Sequence, residues 1–203
     1  MLAKNQIRVL DLFRRNIFFK NSILDISNKV NKGAYQRVYE AIRELEKRGI
    51  LKSEKIGNLN LISLLLTPRS ISYLSFLDEQ EAMNKKIPNY EKIMSLREIS
   101  SYLIIVAGSY AKGKATKKSD LDVVIIIPDN ERAIDVQKLV ENLTLLFYPF
   151  IHLYVFNKKD FIEMLLEKNE NYGKEIFRHH IILKNASIYY DILRGVIENG
   201  FQG

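Results

Sequence analysis

Two apolar runs constrain this chain more than any other feature: LIIVA at residues 103–107 and VVIII at 123–127. Short unbroken runs of aliphatic residues, one followed by Gly-Ser and the other by Pro, read as buried strands. Both fall far short of the roughly 18–20 apolar residues that cross a bilayer. Apolar residues make up 47% of the chain and charged residues 27%, which suits a folded globular protein and excludes general disorder. A length of 203 residues allows one medium domain or two small ones.

The stretch joining the two runs, GSYAKGKATKKSDLD at 108–122, carries chemistry. Gly108 lets backbone approach a ligand closely. Ser109 offers a hydroxyl and an N–H at the start of a short helix, and helix N-termini favour phosphate. Asp120 and Asp122 are two apart, so on a strand their carboxylates share a side, with Cα atoms roughly 6.5–7 Å apart. That spacing reaches one hard cation, or a pair about 3.5–4 Å apart. Mg²⁺ takes few carboxylates and completes its shell with water and substrate phosphate. A phosphate cradle at one strand end and carboxylates at the next are the equipment of phosphoryl or nucleotidyl transfer.

The ordered set GSYAKGKATKKSDLDVVIII closely resembles the signature of the DNA polymerase beta-like nucleotidyltransferases, in particular their small, minimal branch. The resemblance covers about residues 90–203. It implies a mixed sheet flanked by helices, with Gly108 and Ser109 gripping a nucleoside triphosphate (NTP) and Asp120 and Asp122 binding Mg²⁺ (or Mn²⁺). It also points to Lys112, followed by Gly113, as a nucleotide-binding residue among the lysines at 112, 114, 117 and 118. The family draws a third carboxylate from the next core strand, and here the chain departs from it. In PFIHLYVFNKKDF, alternation puts Ile151, Leu153 and Val155 on one face and His152, Tyr154 and Phe156 on the other. The expected aspartate position holds His152. Imidazole is a poor ligand for a hard cation but a competent general base. Asp160 lies past this strand and is expected to cap the next helix. With three histidines, two of them adjacent (His179 and His180), and no cysteine, a zinc site is not expected.

The first third of the chain is different in charge. Residues 1–66 hold thirteen Lys and Arg against six Asp and Glu, whereas 67–203 hold eighteen of each, so the whole +7 lies in the first third. Such an excess suits a phosphate-bearing partner, or simply solubility. Helical spacing is expected over 4–16, from Asn21–Ser22 onward, and over 34–49, where Val38, Ile42 and Leu45 make a stripe. Alternating segments at 50–55 and 59–65 flank Gly57-Asn58, a hairpin turn. Three helices and a hairpin resemble a winged helix-turn-helix domain, which implies duplex DNA as partner. The resemblance puts Lys32, Tyr35, Gln36, Arg37 and Glu40 at the groove and Lys52 and Lys55 on the wing, near phosphate. A protein-interaction role is the alternative for this module.

Residues 67–98 read as a helical connector with a break before Pro88, a candidate for dimerisation, with Ile71, Leu74 and Leu77 on one side. The fold class expected is α/β (α+β), divided as 1–66, 67–98 and 99–203. The expected function is Mg²⁺-dependent transfer of a nucleoside monophosphate from NTP to an acceptor hydroxyl, coupled to DNA binding. Two alternatives stand beside it: a DNA-binding regulator with a degenerate second domain that binds nucleotide or scaffolds a homodimer, and a toxin–antitoxin component. The opening MLAKNQIRVLDLFRR lacks the order of a signal peptide, and no cysteine is present, so a cytoplasmic, membrane-free setting is expected.

Overall fold

The stripe of Val38, Ile42 and Leu45 organises the first unit of the chain. In the computed structural model, which describes residues 2–30, 33–57 and 59–203, the chain forms two compact units, Met1–Leu77 and Asp78–Gly203. Helices α1 (Lys4–Arg15), α2 (Ile23–Val30) and α3 (Tyr35–Lys47) pack together, and the three stripe residues are fully buried with Val9, Leu10, Phe13 and Ile26. Gly49 ends α3: its N–H donates to Glu46 O, and the Ile50 N–H donates to Leu45 O. These are the paired bonds of a Schellman turn. Asn21 and Ser22 do more than start α2. They form a short strand, β1, on the edge of a sheet ordered β1-β3-β2. Ser22 still caps α2, its Oγ accepting from the Asp25 N–H at 3.2 Å.

Strands β2 (Leu51–Ile56) and β3 (Leu59–Leu64) pair antiparallel from Leu51↔Leu64 to Ile56↔Leu59. Of the two turns expected from the sequence, Asn31-Lys32 and the Asn58 position lie outside the described residues. Helix α4 (Pro68–Asn84) opens with a reciprocal cap in which the Thr67 N–H donates to Ser70 Oγ and the Ser70 N–H to Thr67 Oγ1. Proline at the first helical position suits that start. Ile71, Leu74 and Leu77 are buried along it, and the helix stops before Pro88 as expected.

After α5 (Tyr90–Ser95) and a 3₁₀ turn at Arg97–Ile99, the second unit builds a mixed sheet. Its elements are β4 (Leu103–Val106), α6 (Gly108–Ala111), β5 (Leu121–Ile127), α7 (Ala133–Thr144), β6 (Ile151–Asn157), α8 (Lys158–Leu166), α9 (Tyr172–Arg178), β7 (Ile181–Lys184) and α10 (Ala186–Glu198). The strand order is β6-β5-β4-β7, with β5 and β6 parallel and the other pairs antiparallel. Ile104, Val106, Val123, Ile125, Leu153 and Val155 form one buried face with Val136 and Val140 of α7. Helices α8 and α10 cover the other, with Phe161, Leu165, Tyr189 and Leu193 buried. That is why LIIV and VVIII are apolar without alternation: both sides of the sheet are covered.

Asp160 does not cap α8. The helix starts one residue after Asn157, whose side chain instead donates to Pro128 O and Glu131 O, and the Lys159 N–H donates to Asp129 Oδ1 at 2.8 Å. A carboxylate from the β5–α7 loop therefore satisfies the free end of α8. Helix α8 in turn carries α9: Asn171 donates to Met164 O at 2.7 Å while capping α9 through the Lys174 N–H. Phe161→Ala, which empties a fully buried site beneath α8, is expected to cost about 3–5 kcal/mol in urea unfolding. A loss below about 1 kcal/mol would mean that α8 does not hold this face together.

Candidate active site

The site grows from the junction between β4 and β5. The antiparallel ladder runs one residue past β4, where the Ala107 N–H donates to Asp122 O at 3.0 Å. The chain then turns at Gly108 with φ of +60°. A Cβ built on Gly108 would lie 1.9 Å from Asp122 Oδ2 and 2.8 Å from its Cγ. Only glycine fits, because the backbone conformation is left-handed and because the Asp122 carboxylate occupies the space of a side chain. Asp122 is half-buried, its side chain 24% exposed. Asp120 stands one residue before β5 rather than within it, and β5 begins with the Leu121 N–H donating to Phe150 O. Asp120 is exposed and has no hydrogen-bond partner among the described residues. Neither carboxylate points into the core.

The parallel register of β5 and β6 sets Asp122 opposite His152. The burial of β6 alternates as its sequence requires, with Ile151, Leu153 and Val155 inward. His152 Nδ1 lies 3.3 Å from Asp122 Oδ1 and 3.2 Å from the Tyr154 hydroxyl. A carboxylate accepts only, so that contact calls for a proton on Nδ1, the tautomer whose neutral ring carries its lone pair on Nε2. Tyr154 packs against His152 and against Tyr172 of α9, with ring centroids 4.6 and 4.7 Å apart. Burial raises the pKa of Tyr154, and the negative charges of Asp122 and Glu175 add to the rise. Tyr172 is pushed up more strongly by its burial, with Tyr154, Asp122 and Glu175 adding. Both phenols therefore keep their protons and remain donors.

Lys112 caps the end of α6, and its Nζ lies 2.6 Å from Glu175 Oε1 on α9. Gly108, Ser109, Asp122, His152 and Lys112 are thus brought together around one end of the sheet. The Ser109 hydroxyl has no hydrogen bond among the described residues. Tyr172 and Glu175 escape sequence reasoning, because they reach the site from a helix about fifty residues beyond Asp122 and carry no local motif. His180 faces Ile176 O and Tyr189.

Among the described residues no group of three or more His, Cys, Asp or Glu is gathered closely enough to hold a metal ion. The oxygen donors on offer are Asp122, held beside the His152 imidazole, and the exposed Asp120 two residues earlier in the chain. They fit a hard cation that takes one or two carboxylates and completes its shell with water and substrate phosphate. They do not make a cage of protein ligands alone.

In the first unit, Tyr35, Gln36, Arg37 and Glu40 lie exposed at the start of α3. Gln36 donates to Glu40 at 2.9 Å, and Tyr35 stacks on Tyr39. Lys52 and Lys55 are exposed but three apart on β2, so they occupy opposite faces of that strand. Lys32 lies outside the described residues.

The Gly108 junction yields a direct expectation. Gly108→Ala should displace the Asp122 carboxylate and cost about 1–3 kcal/mol through the left-handed backbone alone. Urea unfolding reads the second effect, and a crystal structure of the variant reads the first. An unmoved Asp122 at wild-type stability would show that the junction is not tight.

A model of the nucleotidyltransferase domain family matches residues 87–191. Neither the comparison with curated proteins nor that with solved structures returned a match. No helix among the described residues is long and apolar enough to cross a membrane. The matched span covers more than half of the chain and contains every residue that meets at the end of β5, and the chain therefore belongs to the nucleotidyltransferase domain family.

Proposed function

We propose that the second unit transfers a nucleoside monophosphate from NTP to an acceptor hydroxyl with the help of Mg²⁺ or Mn²⁺. One observation carries this reading: the Asp122 carboxylate is seated against the Gly108 backbone where β4 ends and β5 begins. Asp120 and Asp122 would hold the cation, which when bound supplies charge neutralisation on the phosphates. Gly108 leaves room for a triphosphate against the backbone, and Ser109 offers it an unpaired hydroxyl. Lys112 adds a positive charge at the end of α6. His152 takes the proton of the acceptor at Nε2, while Asp122 and Tyr154 hold the ring from the Nδ1 side.

A regulator that binds nucleotide without transferring it is the second reading. It is favoured by His152 standing where a third carboxylate is expected, and by Glu175 occupying Lys112. Incubation with each labelled NTP and Mg²⁺ or Mn²⁺ separates the two. Transfer predicts labelled product and pyrophosphate, with His152→Ala slowing the reaction by about 10²–10⁴-fold at nearly unchanged nucleotide affinity. The regulator predicts binding without product, and His152→Asp should then improve cation binding by restoring an oxygen ligand. Asp120→Asn combined with Asp122→Asn should abolish Mg-nucleotide binding without unfolding the protein. A wild type that is fully active with His152→Ala harmless would defeat the assignment of His152.

The first unit is read as a winged helix-turn-helix that binds duplex DNA. Its three helices and hairpin, its basic excess and the exposed start of α3 support this reading. DNA affinity of the full chain should fall with salt, the logarithmic slope being about −0.9 for each phosphate neutralised. Arg37→Ala should reduce sequence preference more than Lys55→Ala does. Absence of binding at about 50 mM salt would favour the protein-interaction role.

A further inference from the structure

We propose that the acceptor is an extended polypeptide segment with a hydroxyl side chain, which pairs with the outer edge of β6 and fills the groove beside it. The proposal rests on the nucleotidyl-transfer reading above and names the substrate class of that same site.

The first observation is an undefended edge. Among the described strands β6 pairs with β5 alone, and it ends the sheet. Its register to β5 is unbroken over Ile151–Asn157, and IHLYVFN contains no Lys, Arg, Asp, Glu or Pro. Edge strands usually carry a charge, a proline or a bulge that discourages pairing. This strand carries none, which makes it a template for an added strand.

The second observation is the groove. A cavity of about 350 Å³ runs along this edge. Ile151, His152 and Leu153 of β6 line it opposite Gln137, Glu141 and Thr144 of α7. Leu146 and Tyr148, in the loop that leads into β6, are 91% and 82% exposed. Large apolar side chains so exposed in one short loop mark an interaction surface.

The third observation is charge. Glu141 is the only acidic or basic residue in the lining besides His152, and the lining has no Lys or Arg. A nucleic-acid acceptor laid in this groove would bring phosphates against a carboxylate with no Lys or Arg of the lining to neutralise them. An uncharged, extended peptide meets backbone donors and acceptors along the edge and apolar surface beside it.

The geometry then joins the groove to the chemistry. A strand added to β6 lies about 4.7–4.9 Å away, and its residue opposite His152 turns its side chain to the same face. A Ser, Thr or Tyr at that place presents its hydroxyl to the imidazole that contacts Asp122. The acceptor oxygen forms a bond to the α-phosphorus of NTP as the bond from that phosphorus to the oxygen bridging to the β-phosphate breaks. That electron pair leaves with pyrophosphate, and the hydroxyl proton passes to His152 Nε2.

The test offers the full chain α-labelled NTP and Mg²⁺ with three acceptors in parallel. These are a pool of synthetic peptides alternating apolar residues with Ser, Thr or Tyr, oligonucleotides with free terminal hydroxyls, and glycerol. Label should enter the peptides. Leu146→Arg and, separately, Tyr148→Glu should lower that labelling about tenfold or more, with the affinity for a non-hydrolysable NTP analogue unchanged. Both residues project into solvent, so neither change threatens folding. Label in oligonucleotide or glycerol instead of peptide, NTP turnover with peptides left unlabelled, or full labelling by both variants overturns the peptide acceptor and leaves nucleotidyl transfer standing. Absence of any NTP turnover overturns both.

Discussion

Everything at the candidate site depends on the contact between the Asp122 carboxylate and the backbone of Gly108. It is set by register. The Ala107 N–H bonded to Asp122 O fixes β5 against β4, and Asp122 then falls where a side chain on residue 108 would have been. A slip of one residue would put Leu121 or Val123 against Gly108 and send the carboxylate to the face packed by α7. The unbroken burial of LIIV and VVIII makes that slip costly, since it would exchange a charged group for an apolar one in the core. The apolar strands thus serve the site indirectly: their packing aims the one charged residue within them.

The same logic explains what the sequence made legible. Strand alternation in IHLYVFN depends on neighbours two apart, so the face of His152 could be read without knowing its partner. The apolar runs, the break before Pro88 and the helix stripe of Val38, Ile42 and Leu45 are also local patterns. What stayed hidden involves residues far apart in the chain. The end of α8 is satisfied by Asp129 from another loop, where the sequence suggested Asp160. Asn21 and Ser22 look like a helix start and are one, yet they also pair with β3, a contact forty residues away. Tyr172 and Glu175 have no signature at all, because only the docking of α9 on α8 brings them to the sheet. Asp120 was expected within β5, but the strand starts at Leu121, whose N–H donates to Phe150 O just ahead of β6, and no feature of SDLD marks that point.

The charges around the site oppose one another. Lys112, the cation closest to the Gly-Ser turn by sequence, spends its charge on Glu175. Both groups are partly exposed, and ion pairs of that kind are worth about 0–1 kcal/mol. So weak a tie can be exchanged for phosphate oxygens, which offer several acceptors in place of one. Glu175 then loses its counter-ion in the presence of an anionic ligand, so part of what Lys112 gives the ligand is offset by repulsion.

On the transfer reading, His152, at the position where a third carboxylate is expected, would act on the same balance. A third carboxylate would hold a hard cation better, but it would also add a negative charge facing a triphosphate. An imidazole brings no negative charge and would offer a ring nitrogen at that place on the strand instead. Its orientation is fixed by groups already present: Asp122 and the Tyr154 hydroxyl both lie near Nδ1, and Tyr154 is braced by Tyr172. Asp122 consequently faces two demands, one oxygen against the Gly108 backbone and the other toward the imidazole. Asp120, exposed and unpartnered, is the carboxylate left with both oxygens uncommitted, so a cation at this site would lean on Asp120 more than a symmetric pair of aspartates implies.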